Sequence, residues 1–411
     1  MKRACRQTVV LMLVVGCFLL TGLSGPARAQ RRFHTHLTED GSGIAVRPAP
    51  SHDGRIWGEI ESLPRYDPNG RSAFQVDLRS RDLSKLDVTD RLADLQHADF
   101  DSKTKWPAEL PDGFDPSLAM ELGKNPGLGL RELHRRGITG KGASIGIIDQ
   151  ALLVDHVEYK DRLKLYEEIH YWHEDADMHG AAVASIAVGK TVGVAPEADL
   201  YFIADTFLSD EPAEGAGADG RRTLDYTWIA KSLDRLLEVN RSLPEDRKIR
   251  VISISRGWQP GETGYEAITE AIQRATEEGV FVVSSNIDDI YYGWRFHGLG
   301  RDPSDDPDRA TSYARASWGY DDLTDTLLVP MDSRCTASHT GLNDYVFYRH
   351  GGHSWAIPYI AGLYALACQV KPEITPDLFW AKALETGDVP SAMEGKIVNP
   401  ARLIASLETT S

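Results

Sequence analysis

Three short, almost continuous apolar runs constrain this chain more than any other feature: residues 143–148, 251–254 and 280–283, each bounded by turn or helix signals. Runs of this kind suit strands covered on both faces in a parallel sheet, whereas half-exposed strands alternate apolar with polar. Between the second and third run, Ala267, Ile268, Ala271, Ile272 and Ala275 recur at helical spacing and Gly279 closes the pattern, so residues 264–278 read as an amphipathic helix. Residues 226–237 read as a second helix of the same covering type. Strand, helix, strand in that order implies a right-handed crossover and an α/β sandwich with a mostly parallel central sheet. Functional groups in such sheets gather at the carboxyl ends of strands, where Asp149 and Asn286 both fall.

The first 29 residues read as an export signal. Lys2, Arg3 and Arg6 precede an apolar core at residues 9–20, and Ala27-Arg28-Ala29 forms a small-x-small cleavage site before Gln30. The core is shorter than the roughly 20 residues of a stable membrane span. A loose lipoprotein box ending at Cys17 lies inside the apolar core, with Phe18-Leu19-Leu20 still to come. A secreted or periplasmic location is expected. Loss of the signal removes Lys2, Arg3, Arg6 and Arg28, taking the formal charge from -16 to -20. So acidic a chain is a poor ligand for nucleic acid, which is bound through Lys and Arg on phosphates. Cys335 and Cys368 then remain, open either to one disulfide or to free thiols.

Three segments carry residues with recognisable chemistry: IGIIDQ around Asp149, DMHGAAVASIAVG around His179, and GGHSWAIPYIAGLYAL around Ser354. An orienting carboxylate, a base and a nucleophile occur on unrelated folds in different chain orders. The order Asp, His, Ser, with His179-Gly180 followed by Val183-Ala184, and Gly352-x-Ser354-x-Ala356-x-Pro358 running into Ile360-Ala361-Gly362, resembles the subtilases. Residues 193–205, 251–257 and 280–286 fall where that family has its corresponding strands. The resemblance covers residue 125 to the C-terminus and implies a subtilisin-like three-layer sandwich that hydrolyses peptide bonds. It departs from the family at Gln150-Ala151 (usually Thr-Gly), Ala181-Ala182 (usually Thr-His) and His353 (usually Thr).

The resemblance assigns Ser354 as nucleophile, His179 as general base and acid, Asp149 as the residue orienting the imidazole, and Asn286 as side-chain donor to the oxyanion. Ser255, Arg256 and Gly257 correspond to the strand that pairs with an extended peptide. Plainer readings stand beside these. Ser354 alone reads as a helix N-cap, Asp149 as a turn cap, Asn286 as a turn residue, and Trp258 as a packing aromatic. His170, His173, Asp175, Asp177 and His179 invite a metal reading, but residues 173–177 lack the second histidine of His-Glu-x-x-His, and all but His179 read as a solvated acidic loop. No metal is assigned and no cofactor is required for the chemistry, although subtilases often bind structural calcium. An α/β-hydrolase esterase is disfavoured because Gly-His-Ser-Trp-Ala lacks the second glycine of the nucleophile elbow and the chain order differs.

Residues 30–116 form an N-terminal extension before a peptidase domain at 117–411, with a Pro-rich boundary at residues 106–116. Asp77-Leu78, Asp82-Leu83 and Asp87-Val88 recur every five residues, like a fragment of a pentapeptide-repeat coil. Three turns cannot bury a core alone, so the segment should lean on the catalytic domain. An inhibitory propeptide occupies this place in many subtilases, and both readings stay open. The expected function is an exported serine endopeptidase acting on peptide or protein substrates, with oligomeric state unassigned. The alternative is a non-catalytic subtilase-fold protein that binds peptides or proteins.

Overall fold

Alternate side chains of a strand point to opposite faces, and here both faces are buried. In the computed structural model Ile145 and Ile147 enter one core with Val251, Phe281 and Val283, while Ile148 enters a second with Ile252, Ile254 and Val282. That division explains the continuous apolar runs. The structure describes residues 36–37, 47–53, 56–70, 74–212, 222–316, 322–391 and 393–408. The export signal read at residues 1–29, its cleavage point and the box at Cys17 lie outside the described residues.

Five strands lie parallel in the spatial order Leu163–His170, Asp199–Asp205, Ser144–Asp149, Ile249–Ile254, Phe281–Ser284, and the two-residue strand His36–Leu37 joins the first of them antiparallel. The strand ending in Asp149 is therefore central, with Ala204 opposite Asp149 on one side and Ile254 opposite Ile148 on the other. On one face lie the helices Met178–Val188 and His353–Val370; on the other lie Thr227–Ser242 and Tyr265–Glu277. This is the three-layer sandwich expected from the sequence.

The two helix pairs differ in chemistry. Thr227–Ser242 and Tyr265–Glu277 bury one stripe each, through Ile229, Leu233 and Leu236 and through Ile268, Ala271 and Ile272. By contrast, every residue from Gly180 to Val188 and from Trp355 to Cys368 is buried, because these helices are covered outside by the strands Arg334–Ala337 and Thr326–Pro330 and the helix Pro400–Glu408. A helix apolar all round belongs in such a position. The Ser354 helix is longer than its sequence signal and runs through Pro358, which offers no N–H to the carbonyl of Ser354 four residues back. The hydroxyl of Ser255 donates to that carbonyl instead, at 3.1 Å.

The N-terminal extension packs into the body that carries the sandwich. Its strand Ala98–Asp101 lies between Val76–Asp77 and Tyr345–Tyr348, with Phe100 opposite Phe347. Leu78, Leu83 and Val88 point into a core shared with Phe100 and Phe347, which is the five-residue period in physical form. Each turn is closed by its aspartate: Asp82 accepts from the N–H and hydroxyl of Ser84, and Asp87 from those of Thr89. Cys335 and Cys368 are buried free thiols. Among the described residues no helix is long and apolar enough to cross a membrane.

Candidate active site

Asp149 ends the central strand and is 1 % exposed. Its Oδ1 accepts the N–H of Gln150 at 2.8 Å and lies 2.6 Å from Nδ1 of His179, the second residue of the helix Met178–Val188. With a carboxylate as acceptor, Nδ1 carries the hydrogen and Nε2 the lone pair. The pairing depends on a close approach of helix and strand end. A Cβ on Gly180 would stand 1.9 Å from the carbonyl oxygen of Gln150, so no larger residue fits there without moving one of them.

Ser354 is the second residue of its helix, after Gly352, which adopts φ +85°. That backbone conformation favours glycine and turns the chain into the helix. The ring of Trp355, the next residue, lies 5.5 Å from the His179 imidazole between centroids, so the two helix starts meet. The Ser354 hydroxyl, however, donates to the carbonyl of Ser255 at 3.5 Å, and no hydrogen bond joins it to His179 among the described residues. The structure thus brings Asp149 and His179 into direct contact and starts the Ser354 helix beside them, with the Ser354 hydroxyl bonded to Ser255.

Asn286 follows the strand Phe281–Ser284, and its side chain closes on Trp258: Oδ1 accepts the Trp258 N–H at 2.8 Å, and Nδ2 donates to the Trp258 carbonyl at 2.8 Å and to Asp289 at 2.7 Å. Both amide hydrogens are engaged, so donation to an oxyanion requires one to be released. The Ser255–Gly257 segment is also occupied from within. Its Ser255 carbonyl takes the Ser354 hydroxyl, that of Arg256 the N–H of Ser285, and that of Gly257 the Tyr226 hydroxyl. The Arg256 guanidinium lies 4.8 Å from the Phe207 ring centroid, and Trp258 is buried against Tyr226.

Asp99 and Asp332 escaped the sequence reading, and Asp177 and His353, which it named, have surroundings it did not foresee. Asp177 stands at the N-cap position of the His179 helix without a side-chain capping bond; its carboxyl accepts from the Tyr171 hydroxyl and lies 3.1 Å from His173 Nδ1. Burial, with the neighbouring Asp149 charge, raises it to about 7. The expected solvated loop holds at Glu174 and Asp175, which are exposed, whereas His173 and Asp177 are half-buried and His170 is buried, bonded to Asp210 and stacked on Trp228. The histidines of the supposed metal cluster are instead engaged in separate pairs. No group of three ligands stands together among the described residues. Two buried aspartates hold the loop that enters the Ser354 helix: Asp99 accepts the N–H of Arg349 at 2.8 Å, and Asp332 that of Gly351 at 2.9 Å. Burial raises these carboxyls to about 8 and about 6. Asp99 lies 250 positions from its partner, a distance no local pattern encodes. His353, where the family usually has threonine, is lowered to about 4 by burial and then by His297, and is neutral near pH 7.

A family model described as the subtilase family matches residues 140–329. These residues belong to the subtilase family. The matched span contains Asp149, His179, Ser255 to Gly257 and Asn286; Ser354 lies beyond it. Among curated relatives, the subtilisin-like protease PopC of Myxococcus xanthus is 26 % identical over 83 % of this chain and 68 % of its own length. A subtilisin-like protease of Coccidioides posadasii is 30 % identical over 36 % of this chain and 33 % of its own, and alkaline protease 1 of Aspergillus clavatus 28 % over 54 % and 51 %. The chain therefore spans one third to two thirds of the length of these relatives. The subtilase sandwich is the fold described above, and the family is one of serine peptidases.

Proposed function

We propose that this chain is an exported serine endopeptidase working through Ser354, His179 and Asp149. The observation that carries this reading is the 2.6 Å hydrogen bond from His179 to the buried Asp149 at the carboxyl end of the central strand, next to the start of the Ser354 helix. It fixes the tautomer in which Nε2 accepts a proton. Rotation of the Ser354 side chain away from the Ser255 carbonyl turns Oγ toward that nitrogen. Oγ then attacks the scissile carbonyl carbon as its proton passes to Nε2, and Asp149, still ionised, stabilises the imidazolium. Collapse of the tetrahedral intermediate breaks the C–N bond, the departing amine takes the proton from Nε2, and an acyl-enzyme ester remains. Water repeats the sequence and frees the acid. Asn286 donates to the oxyanion once one of its N–H groups leaves Trp258 or Asp289, a contribution of about 3 kcal/mol. Only side chains of this chain enter these steps. Export rests on the signal read at residues 1–29, and the substrate class is peptide or protein.

Two observations favour a second reading, a non-catalytic subtilase that binds peptides: the Ser354 hydroxyl bonded to Ser255, and Asn286 closed on Trp258. Labelling of the full chain with a fluorophosphonate separates the two. Labelling that disappears in Ser354→Ala establishes an activated serine. A folded wild-type chain that stays unlabelled sinks the peptidase reading and leaves the binding one.

A further inference from the structure

The extension touches both loops that deliver catalytic side chains. On the His179 side, the Arg47 guanidinium, 4 % exposed, pairs through two 2.6 Å bonds with Glu168 and lies 4.6 Å from the Tyr171 ring centroid. The Tyr171 hydroxyl in turn donates to Asp177, the N-cap of the His179 helix, and the Pro48 carbonyl accepts the N–H of Ala176 at 3.0 Å. On the Ser354 side, Asp99 accepts the Arg349 N–H and the Gln96 carbonyl accepts Arg349 Nε at 2.9 Å. The neighbouring Tyr348 stacks edge-on against Trp355 at 5.2 Å, which meets His179.

These two arms are tied together by buried and part-buried contacts. Arg79 bonds Asp53 at 3.0 Å and Asp77 at 2.8 Å, and Lys103 donates to the carbonyls of Ser51 at 3.0 Å and Thr340 at 2.9 Å. The strand Ala98–Asp101 is interior to its sheet, and Phe100 stacks on Phe347 at 4.9 Å. A segment that only blocked a cleft could leave without exposing the body; this one supplies a strand, buried aromatic contacts and a hydrogen-bond acceptor for the loop before the serine.

We propose that residues 47–105 are a retained brace that positions His179 against Ser354, with Arg47 and Asp99 as its positioning residues, so that the extension belongs to the working enzyme. This rests on the peptidase reading above for its catalytic consequence, but not for its structural one. The test uses full-length chains carrying Arg47→Gln, Asp99→Ala, and the conservative Arg47→Lys and Asp99→Asn. Two readouts are taken: the fluorophosphonate labelling rate against probe concentration, and the far-downfield proton resonance of His179 Nδ1–H. A misplacement of about 1 Å costs up to about a hundredfold, so Arg47→Gln and Asp99→Ala should lower the limiting labelling rate at least about tenfold with half-saturation unchanged. The resonance should weaken in both. Asp99→Asn, which keeps an acceptor for the Arg349 N–H, should restore rate and resonance. Arg47→Lys, still cationic, should recover part and remains informative if Arg47→Gln does not fold. Faster labelling in the variants, as release of an inhibitor would give, or a wild-type rate with an unchanged resonance, overturns the brace. If the wild-type chain does not label, the peptidase reading has failed and the resonance alone decides: its loss in the variants supports the brace, its persistence overturns it.

Discussion

The two halves of the candidate site are built to different standards. Asp149 and His179 sit on a strand end and a helix start pressed together at Gly180, and their hydrogen bond is made at 2.6 Å. Ser354 opens a helix just as His179 does and Asn286 follows a strand, but each side chain is bonded elsewhere, to Ser255 and to Trp258. The comparison teaches that regular elements fix the backbone of both halves, while only the proposed base and its carboxylate have their side-chain contact already made. The proposed nucleophile and oxyanion donor are bonded to the segment 255–258 instead. A bound peptide that displaced the internal bonds of Ser255 to Trp258 would release both together.

The largest expected effects come from breaking the preorganised half and the nucleophile outright. Ser354→Ala should lower kcat by about six orders of magnitude, and Asp149→Asn, which leaves the imidazole in the wrong tautomer, by about four. Steady-state hydrolysis of a peptide substrate measures both, and a comparable kcat in Asp149→Asn would mean that the 2.6 Å contact is not part of the chemistry. Next, Asn286→Ala should lower kcat by about a hundredfold or more with KM little changed. Asp289→Ala, which frees one Asn286 N–H, should raise kcat a few-fold, roughly the worth of one hydrogen bond of about 1 kcal/mol. If Asn286→Ala changes only the unfolding midpoint, Asn286 is a clamp for Trp258 and the two halves differ more than proposed. Gly180→Ala tests what holds the first half together. A Cβ 1.9 Å from a backbone oxygen should cost about 3 kcal/mol of stability in denaturant unfolding, the upper end of overpacking.

A pH dependence bears on the loop before Ser354. Burial raises the Asp99 carboxyl from 3.8 to about 8, so the native state binds a proton that the unfolded chain releases. The penalty is absent below about pH 4, grows as pH rises between the two values, and is constant above them. Asp99→Asn removes that slope, so the stability of the variant relative to wild type should rise from pH 4 to pH 8 in paired melts. A flat difference would show that Asp99 is ionised in the native protein.

Much of this was legible because it is local. The apolar runs predicted the strands within one or two residues, since alternation onto two buried faces leaves few polar positions, such as the buried Ser253. The five-residue Asp-Leu spacing has a local physical basis, since Leu78, Leu83 and Val88 enter one core and Asp82 and Asp87 close their own turns. In the acidic loop before His179 only Glu174 and Asp175 are solvated as expected, because Arg47, Tyr171 and Trp228 pack around Asp177 and His170.

By itself, then, the sequence determined the layer architecture, the places of Asp149 and His179 at a strand end and a helix start, and the helix that begins beside Ser354. These follow from periodicity and from short-range turn and cap chemistry. Only the tertiary structure decided that the Ser354 hydroxyl faces Ser255, that Asn286 closes on Trp258, that Cys335 and Cys368 are free thiols, and that Asp99 holds the Arg349 N–H. Those outcomes depend on rotamers and on contacts between residues tens to hundreds of positions apart, where burial and competing hydrogen-bond partners, not local pattern, set the lowest free energy.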